Sequence, residues 1–165
     1  MPDAVLRAAP RWAEWPARLQ RLDSGDLLPL LPEGTELYLD GGHNPAAARV
    51  IADFLKRRER EEQRPLYLLV GMVAGKDPEG FLKPLAPFAR RVFTVPVQDH
   101  LTQEPAEVAA AAERVGLPAQ PAEMLSDALG AITHDADPVN PPRVLICGSL
   151  YLAGEVLKAN GTPPN

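Results

Sequence analysis

Apolar and polar positions change their spacing repeatedly along this chain, and each change marks an element. Leu66 to Val70 (LYLLV) and Val144 to Cys147 (VLIC) are unbroken apolar runs. Such runs suit parallel strands buried on both faces. Leu37-Tyr38-Leu39 and Arg91 to Val95 read the same way. Between these runs the apolar residues recur at helical intervals. Ala47, Val50, Ile51, Phe54 and Leu55 predict one apolar face of a helix from about Pro45 to Arg60. Phe81, Leu82 and Leu85 predict the core face of a helix opened by Asp77-Pro78 and cut short by Pro84 and Pro87. Val108, Ala112 and Val115 predict a third helix, begun by Glu104-Pro105, with Gly116 at its C′ position. Ser126 is expected to cap a fourth, carrying Ala128, Leu129 and Ile132, and a last helix spans Leu150 to Ala159, stopped by Asn160-Gly161. Gln120 to Met124 is a candidate short strand. Trp15 to Leu22 reads as an extended edge segment lying near the Leu37 strand, and Leu27 to Leu31 as a second short segment. Residues 1–14 are a linker remnant or a short helix, and 162–165 a frayed tail.

Strands and helices in alternation predict an α/β, Rossmann-like domain. Its mostly parallel sheet should have about six strands, helices on both faces and a short antiparallel N-terminal segment. The chain has 165 residues, enough for one domain, and 45% of them are hydrophobic. A net charge of −5 argues against a general nucleic-acid partner. One cysteine, Cys147, excludes an internal disulfide and a thiolate metal cluster. His100 and His134, read in polar loops, have no metal-ligand spacing to an acid. No metal site is expected. No apolar run approaches the roughly 20 residues of a membrane span, and the first residues lack a signal-peptide core. The expected location is cytoplasmic, with no membrane partner.

Candidate chemistry gathers where strands end. Asp40-Gly41-Gly42-His43-Asn44-Pro45 joins the Leu37 strand to the first helix. The two glycines can take positive φ, Asn44 suits the N-cap, and Pro45 suits the first helical position. Ligands of open α/β sheets bind outside the carboxyl ends of the strands. There Asp40 either holds ligand hydroxyls or stabilises its own turn, and His43 could bond a nucleotide. Gly148-Ser149 closes the last strand in the same way. Ser149 is a natural N-cap, or a hydroxyl facing a carboxylate or phosphate. Arg18 is a surface charge or a forked phosphate ligand. Gly71 to Asp77 follows a strand and precedes a helix, as a P-loop would, yet it is one residue short and ends in Asp77 where a hydroxyl is required. It is not a P-loop, and Asp77 belongs to a helix start.

DGGHNPAAA, from Asp40 to Ala48, closely resembles the D-[GA]-[AG]-H-N-P-x-x-A signature of folylpolyglutamate and dihydrofolate synthases, ligases of the Mur superfamily. Three further strings follow that family's order: Trp15 to Gln20, Gly71 to Asp77, and Cys147-Gly148-Ser149-Leu150-Tyr151-Leu152. The resemblance spans nearly the whole chain and implies a C-terminal domain over residues 15–161. It implies that this domain closes over ATP held by an N-terminal P-loop domain, where Mg²⁺ is also bound. The arginine matching Arg18 would reach the phosphates and the aspartate matching Asp40 the ribose, with His43 beside them. Ser149, Lys76 and Asp77 would face the substrate side. The implied reaction joins folate and L-glutamate through an acyl phosphate. Ala17 stands where the family has glycine, Gly75 where it has an acid, and the segment between Arg18 and Asp40 is longer than in many relatives. The chain itself has no P-loop, so alone it is expected to be inactive. Two other readings compete: the same domain of another Mur-type ligase, or a stand-alone module binding a nucleotide or a partner.

Overall fold

The computed structural model describes residues 17–163. Trp15, Pro16 and residues 1–14 lie outside the described range, as do Pro164 and Asn165. Among these residues six strands form one sheet: β1 Gln20–Arg21, β2 Glu36–Leu39, β3 Leu66–Val70, β4 Arg91–Thr94, β5 Ala119–Pro121 and β6 Arg143–Cys147. Their spatial order is β1-β2-β6-β3-β4-β5. β1 runs antiparallel to β2, with Gln20 opposite Leu39, and every other pairing is parallel. The expected α/β sheet and its antiparallel edge are both present.

Among the described residues five α-helices connect the strands: α1 Pro45–Glu61, α2 Pro78–Leu82, α3 Pro105–Arg114, α4 Leu125–Asp135 and α5 Leu150–Ala159. Alternate strand residues face opposite sides. Leu66, Leu68, Val70, Leu145 and Cys147 pack with α1, α2 and α3. Leu37, Leu39, Tyr67, Leu69, Val144 and Ile146 pack with α4 and α5. The chain winds outward from β3 to β5 on the first face, then returns beneath the second to insert β6 between β2 and β3.

Several local expectations shift. Leu28–Leu30 is a 3₁₀ turn rather than an extended segment. Its leucines flank Leu27 and Leu31, which are buried against the α4–α5 face. The fifth strand is Ala119–Pro121, not Gln120 to Met124. Met124 is the N-cap of α4, without a side-chain bond, so Ser126 lies inside the helix. His134 is on α4 as well, in its last turn. On α1 the buried residues are Ala48, Ile51 and Leu55, whereas Val50 is 63% exposed. The core stripe sits one position round from the one the sequence predicts, which turns Val50 toward the site described below.

Two polar clamps hold the α4–α5 face. Tyr67 donates from its hydroxyl to Asp135 at 2.7 Å, and Arg91 reaches the same carboxylate at 3.2 Å. Burial and that carboxylate push the Tyr67 hydroxyl up to about 12. Asn160, just past α5, is 1% exposed and fully bonded. Its Oδ1 accepts from the Leu27 N–H at 3.1 Å, and its Nδ2 donates to the Ser24 carbonyl and to Thr162 Oγ1. Thr162, expected to fray, is thereby held, and its N–H also donates to the Leu157 carbonyl. Asn160→Ala strands a buried N–H and a C=O, so it should cost about 2–3 kcal/mol in chemical denaturation. Unchanged stability would show the 24–27 segment to be tied down by something else.

Candidate functional site

The carboxyl ends of β2, β6 and β3 lie side by side, and the loops leaving them carry the candidate chemistry. Asp40 follows β2 directly. It is 8% exposed. Its Oδ2 accepts from the Leu19 N–H at 2.9 Å and its Oδ1 from the Gly42 N–H at 2.6 Å. Burial pushes its carboxyl above the ordinary carboxylate range. The two backbone N–H groups and the Arg18 charge work against that rise without cancelling it.

Gly41 and Gly42 are glycines for a reason the sequence does not reveal. Neither takes positive φ. A Cβ on Gly41 would run into the Leu150 side chain. One on Gly42 would sit 2.7 Å from Asp40 Oδ1 and 3.0 Å from Ala47 Cβ. The turn needs close approach, not a special dihedral. Gly148 needs both: its φ is +108°, and a Cβ would lie 2.5 Å from the Gly71 carbonyl oxygen. Its N–H donates to the Gly42 carbonyl at 2.9 Å, which fastens the two turns together.

His43 is half-buried, and its Nδ1–H donates to the Gly41 carbonyl at 3.1 Å. Asn44 caps α1 by accepting from the Ala47 N–H at 2.8 Å, with Pro45 at the first helical position. The anion-favouring end of a 17-residue helix therefore opens beside Asp40. Arg18 is exposed at the same place. Together Arg18, Asp40 and His43 line a cleft of about 440 Å³. Beside Gly41, Gly42 and Asn44, the rest of its wall is apolar: Ala17, Leu19, Ala47, Val50, Ile51 and Leu150. Val50 and Leu150 are large exposed apolar side chains, 63% and 60% accessible.

The other expected site residues lie outside this cleft. Ser149 is 3% exposed, and its Oγ accepts from the Tyr151 and Leu152 N–H groups, the capping role. Asp77 caps α2 by accepting from the Gly80 N–H. The Lys76 carbonyl accepts from Gln103 Nε2, which pins the 71–77 loop to the loop after β4. On that second loop His100 stacks on Tyr151 with ring centroids 3.6 Å apart. Beneath them, burial and the Asp99 charge raise the Glu155 carboxyl, against a bond from the Gln98 N–H and the His100 charge. Among the described residues no three His, Cys, Asp or Glu side chains come together as a metal-holding group. No helix there is long and apolar enough to cross a membrane.

At the opposite edge lies a feature the sequence reading passed over. Glu36 is 3% exposed, with Oε2 at 2.8 Å from Arg143 Nε and Oε1 at 2.5 Å from Arg58. Arg64 approaches the same carboxylate at 3.9 Å. A charged residue at the head of each of two apolar runs, Glu36 and Arg143, is the signal that parallel register would have paired.

This doubly wound α/β domain has a carboxylate, a guanidinium and a helix N-terminus around one cleft, at the carboxyl edge where open sheets of this class generally bind ligands. The comparisons narrow this. Residues 25–159 match the family described as dihydrofolate synthetase, C-terminal domain, and the chain belongs to that family. The chain is 27% identical over 164 residues to a dihydrofolate synthetase of Saccharomyces cerevisiae, covering 90% of this chain and 36% of the yeast protein. Its fold is similar to a folylpolyglutamate synthase of Mycobacterium tuberculosis complexed with ADP and AMPPCP. That likeness has a TM-score of 0.78 at 24% identity and covers 100% of this chain and 36% of that one. It is also similar to a bifunctional folylpolyglutamate synthase/dihydrofolate synthase of Yersinia pestis complexed with AMPPNP and Mn ion, with a TM-score of 0.73 at 24% identity, covering 96% and 34%. The chain thus spans about a third of the length of these relatives.

Proposed function

We propose that this domain is the nucleotide-closing part of an ATP-dependent folate:glutamate amide ligase. The observation that carries the reading is the cleft that brings Arg18, Asp40 and His43 to the N-terminus of α1. Each Asp40 oxygen accepts one backbone bond and keeps a lone pair, so the carboxylate can still receive ribose hydroxyls. Arg18, at the cleft mouth, supplies a fork for phosphate oxygens. His43 Nε2, with its tautomer set by the Gly41 carbonyl, offers an acceptor to the same ligand. The exposed Val50 and Leu150 give the cleft an apolar wall for a base.

In the whole enzyme ATP would be held by an N-terminal P-loop domain, which would also bind Mg²⁺ to neutralise phosphate charge. The folate γ-carboxylate attacks the γ-phosphate, releasing ADP and leaving an acyl phosphate. The L-glutamate amine then attacks the acyl carbon and expels phosphate, forming the amide. Arg18 would help neutralise charge in the first step, and closure of this domain would keep water from the acyl phosphate. Ser149, Lys76 and Asp77 would lie toward the substrate side, Ser149 and Asp77 through the helix N-termini that they cap.

The test is a titration of the isolated chain with ATP and with AMP, followed by amide NMR. Leu19, Gly41, Gly42 and His43 should shift, and ATP should bind more tightly than AMP. Shifts confined to surfaces away from the cleft would refute the reading. The chain alone should form no product from ATP, a folate and glutamate.

A further inference from the structure

Arg18 is held at the apex of a short strained turn. Ala17 has φ +65° and Leu19 φ +45°, so two residues with side chains occupy the left-handed region on either side of it. That conformation is costly for an L-residue, and it persists only where surrounding bonds enforce it. Three bonds do so here. The Ala17 carbonyl accepts from the Gly41 N–H at 2.6 Å. The Leu19 N–H donates to Asp40 Oδ2 at 2.9 Å. The third comes from a side chain: Gln20 Oε1 accepts from the Ala17 N–H at 2.9 Å. Gln20 is itself fixed, because it is a β1 residue registered against Leu39, the residue before Asp40.

We infer that Gln20 is a positioning residue for Arg18. Its amide oxygen closes the 17–20 turn from the strand side and so fixes the backbone that places Arg18 in the cleft wall. The inference rests on the nucleotide reading of Arg18 given above. Ala17 is 3% exposed, so without Gln20 its N–H has no water to turn to. The turn would then relieve both the unpaired donor and the left-handed strain by moving, and Arg18 would move with it. Gln20 needs no contact with the ligand to matter.

The experiment uses the chain as it stands, with Q20A, Q20E and R18A. It reads amide exchange at Ala17 against the core strand residue Leu68, together with the ratio of ATP to AMP affinity. R18A should lower that ratio about tenfold, the worth of a charge-assisted hydrogen bond. Q20A should speed Ala17 exchange at least about tenfold with Leu68 unchanged, and should lower the ratio about three- to tenfold while AMP affinity holds. Q20E keeps the acceptor oxygen and should restore Ala17 protection, and with it the ratio. A Q20A chain that keeps the wild-type ratio while R18A loses it overturns the inference and leaves the nucleotide reading standing. Unchanged Ala17 exchange in Q20A also overturns it. Equal affinity of the wild type for ATP and AMP removes the phosphate reading of Arg18, and this inference with it.

Discussion

Replacing Glu36 by alanine should destabilise the domain by about 3–5 kcal/mol, because it removes the buried carboxylate that Arg143 and Arg58 share and leaves Arg143 only a 3.6 Å contact with the more exposed Glu59. In a domain of this size that lowers the melting temperature by roughly 6–20 °C. Arg143 is as buried as Glu36, 2% against 3% on the side chain, so neither can turn to water when the other is lost. Arg143→Ala should therefore be costly too. The double variant should cost less than the two single costs added, since the second removal relieves the penalty left by the first. Additive losses in urea would show that the two residues act apart. The pH dependence has a definite sign. Burial acts to raise the Glu36 carboxyl, but bonds and charge from Arg143 and Arg58 outweigh it and hold it below its usual 4.5. The carboxylate's contribution is therefore complete above its unfolded pKa and is lost as pH falls through the lowered folded value. The Glu36→Ala protein should show a shallower loss of stability on the acid side than the wild type.

Asp40→Ala should act on both stability and ligand. It leaves the Leu19 and Gly42 N–H groups unpaired in a nearly closed site, at about 1–3 kcal/mol each. It also frees the strained turn that carries Arg18, so nucleotide shifts at Gly41 to His43 should vanish. Asp40→Asn separates the two effects. It keeps the shape and one acceptor, so most of the fold should survive while ribose recognition falls. Its pH behaviour runs opposite to that of Glu36. The folded Asp40 carboxyl lies above its ordinary 3.8, first because it is buried. The stability it contributes is present below that value and is lost as pH rises through the raised folded one. The wild type's advantage over Asp40→Asn should therefore be greatest in acid and shrink toward neutrality. An advantage that grows with pH would mean that Arg18 and the two N–H groups overcome the burial.

Much of this was legible in the apolar runs. β3 and α5 fall at the boundaries the sequence predicts, because a buried strand and a capped amphipathic helix each leave a periodic trace. The capping roles of Asn44, Asp77 and Ser149 were equally readable, since those side chains act on backbone within three residues. What stayed hidden depends on partners far along the chain. Val50 fits the core stripe of α1 by spacing alone, yet Ala48, Ile51 and Leu55 are the residues that the sheet and the neighbouring helices bury. Gly41 and Gly42 read as turn glycines, whereas Leu150 and Ala47 are what exclude a side chain there. Glu36 and Arg143 stand 107 residues apart and meet because β2 and β6 are neighbours in register. Pairing order is the one thing that periodicity does not encode.

The position of β6 has a consequence for how the chain is made. It is the last strand in sequence, yet it lies in the middle of the sheet, bonded to both β2 and β3. While the ribosome is still upstream of Arg143, β2 and β3 have no shared neighbour, and each exposes an apolar edge. One edge of β2 and one edge of β3 therefore stay unpaired until β6 is made. Once β6 emerges, one short stretch joins both halves at once, so assembly is a late and concerted event.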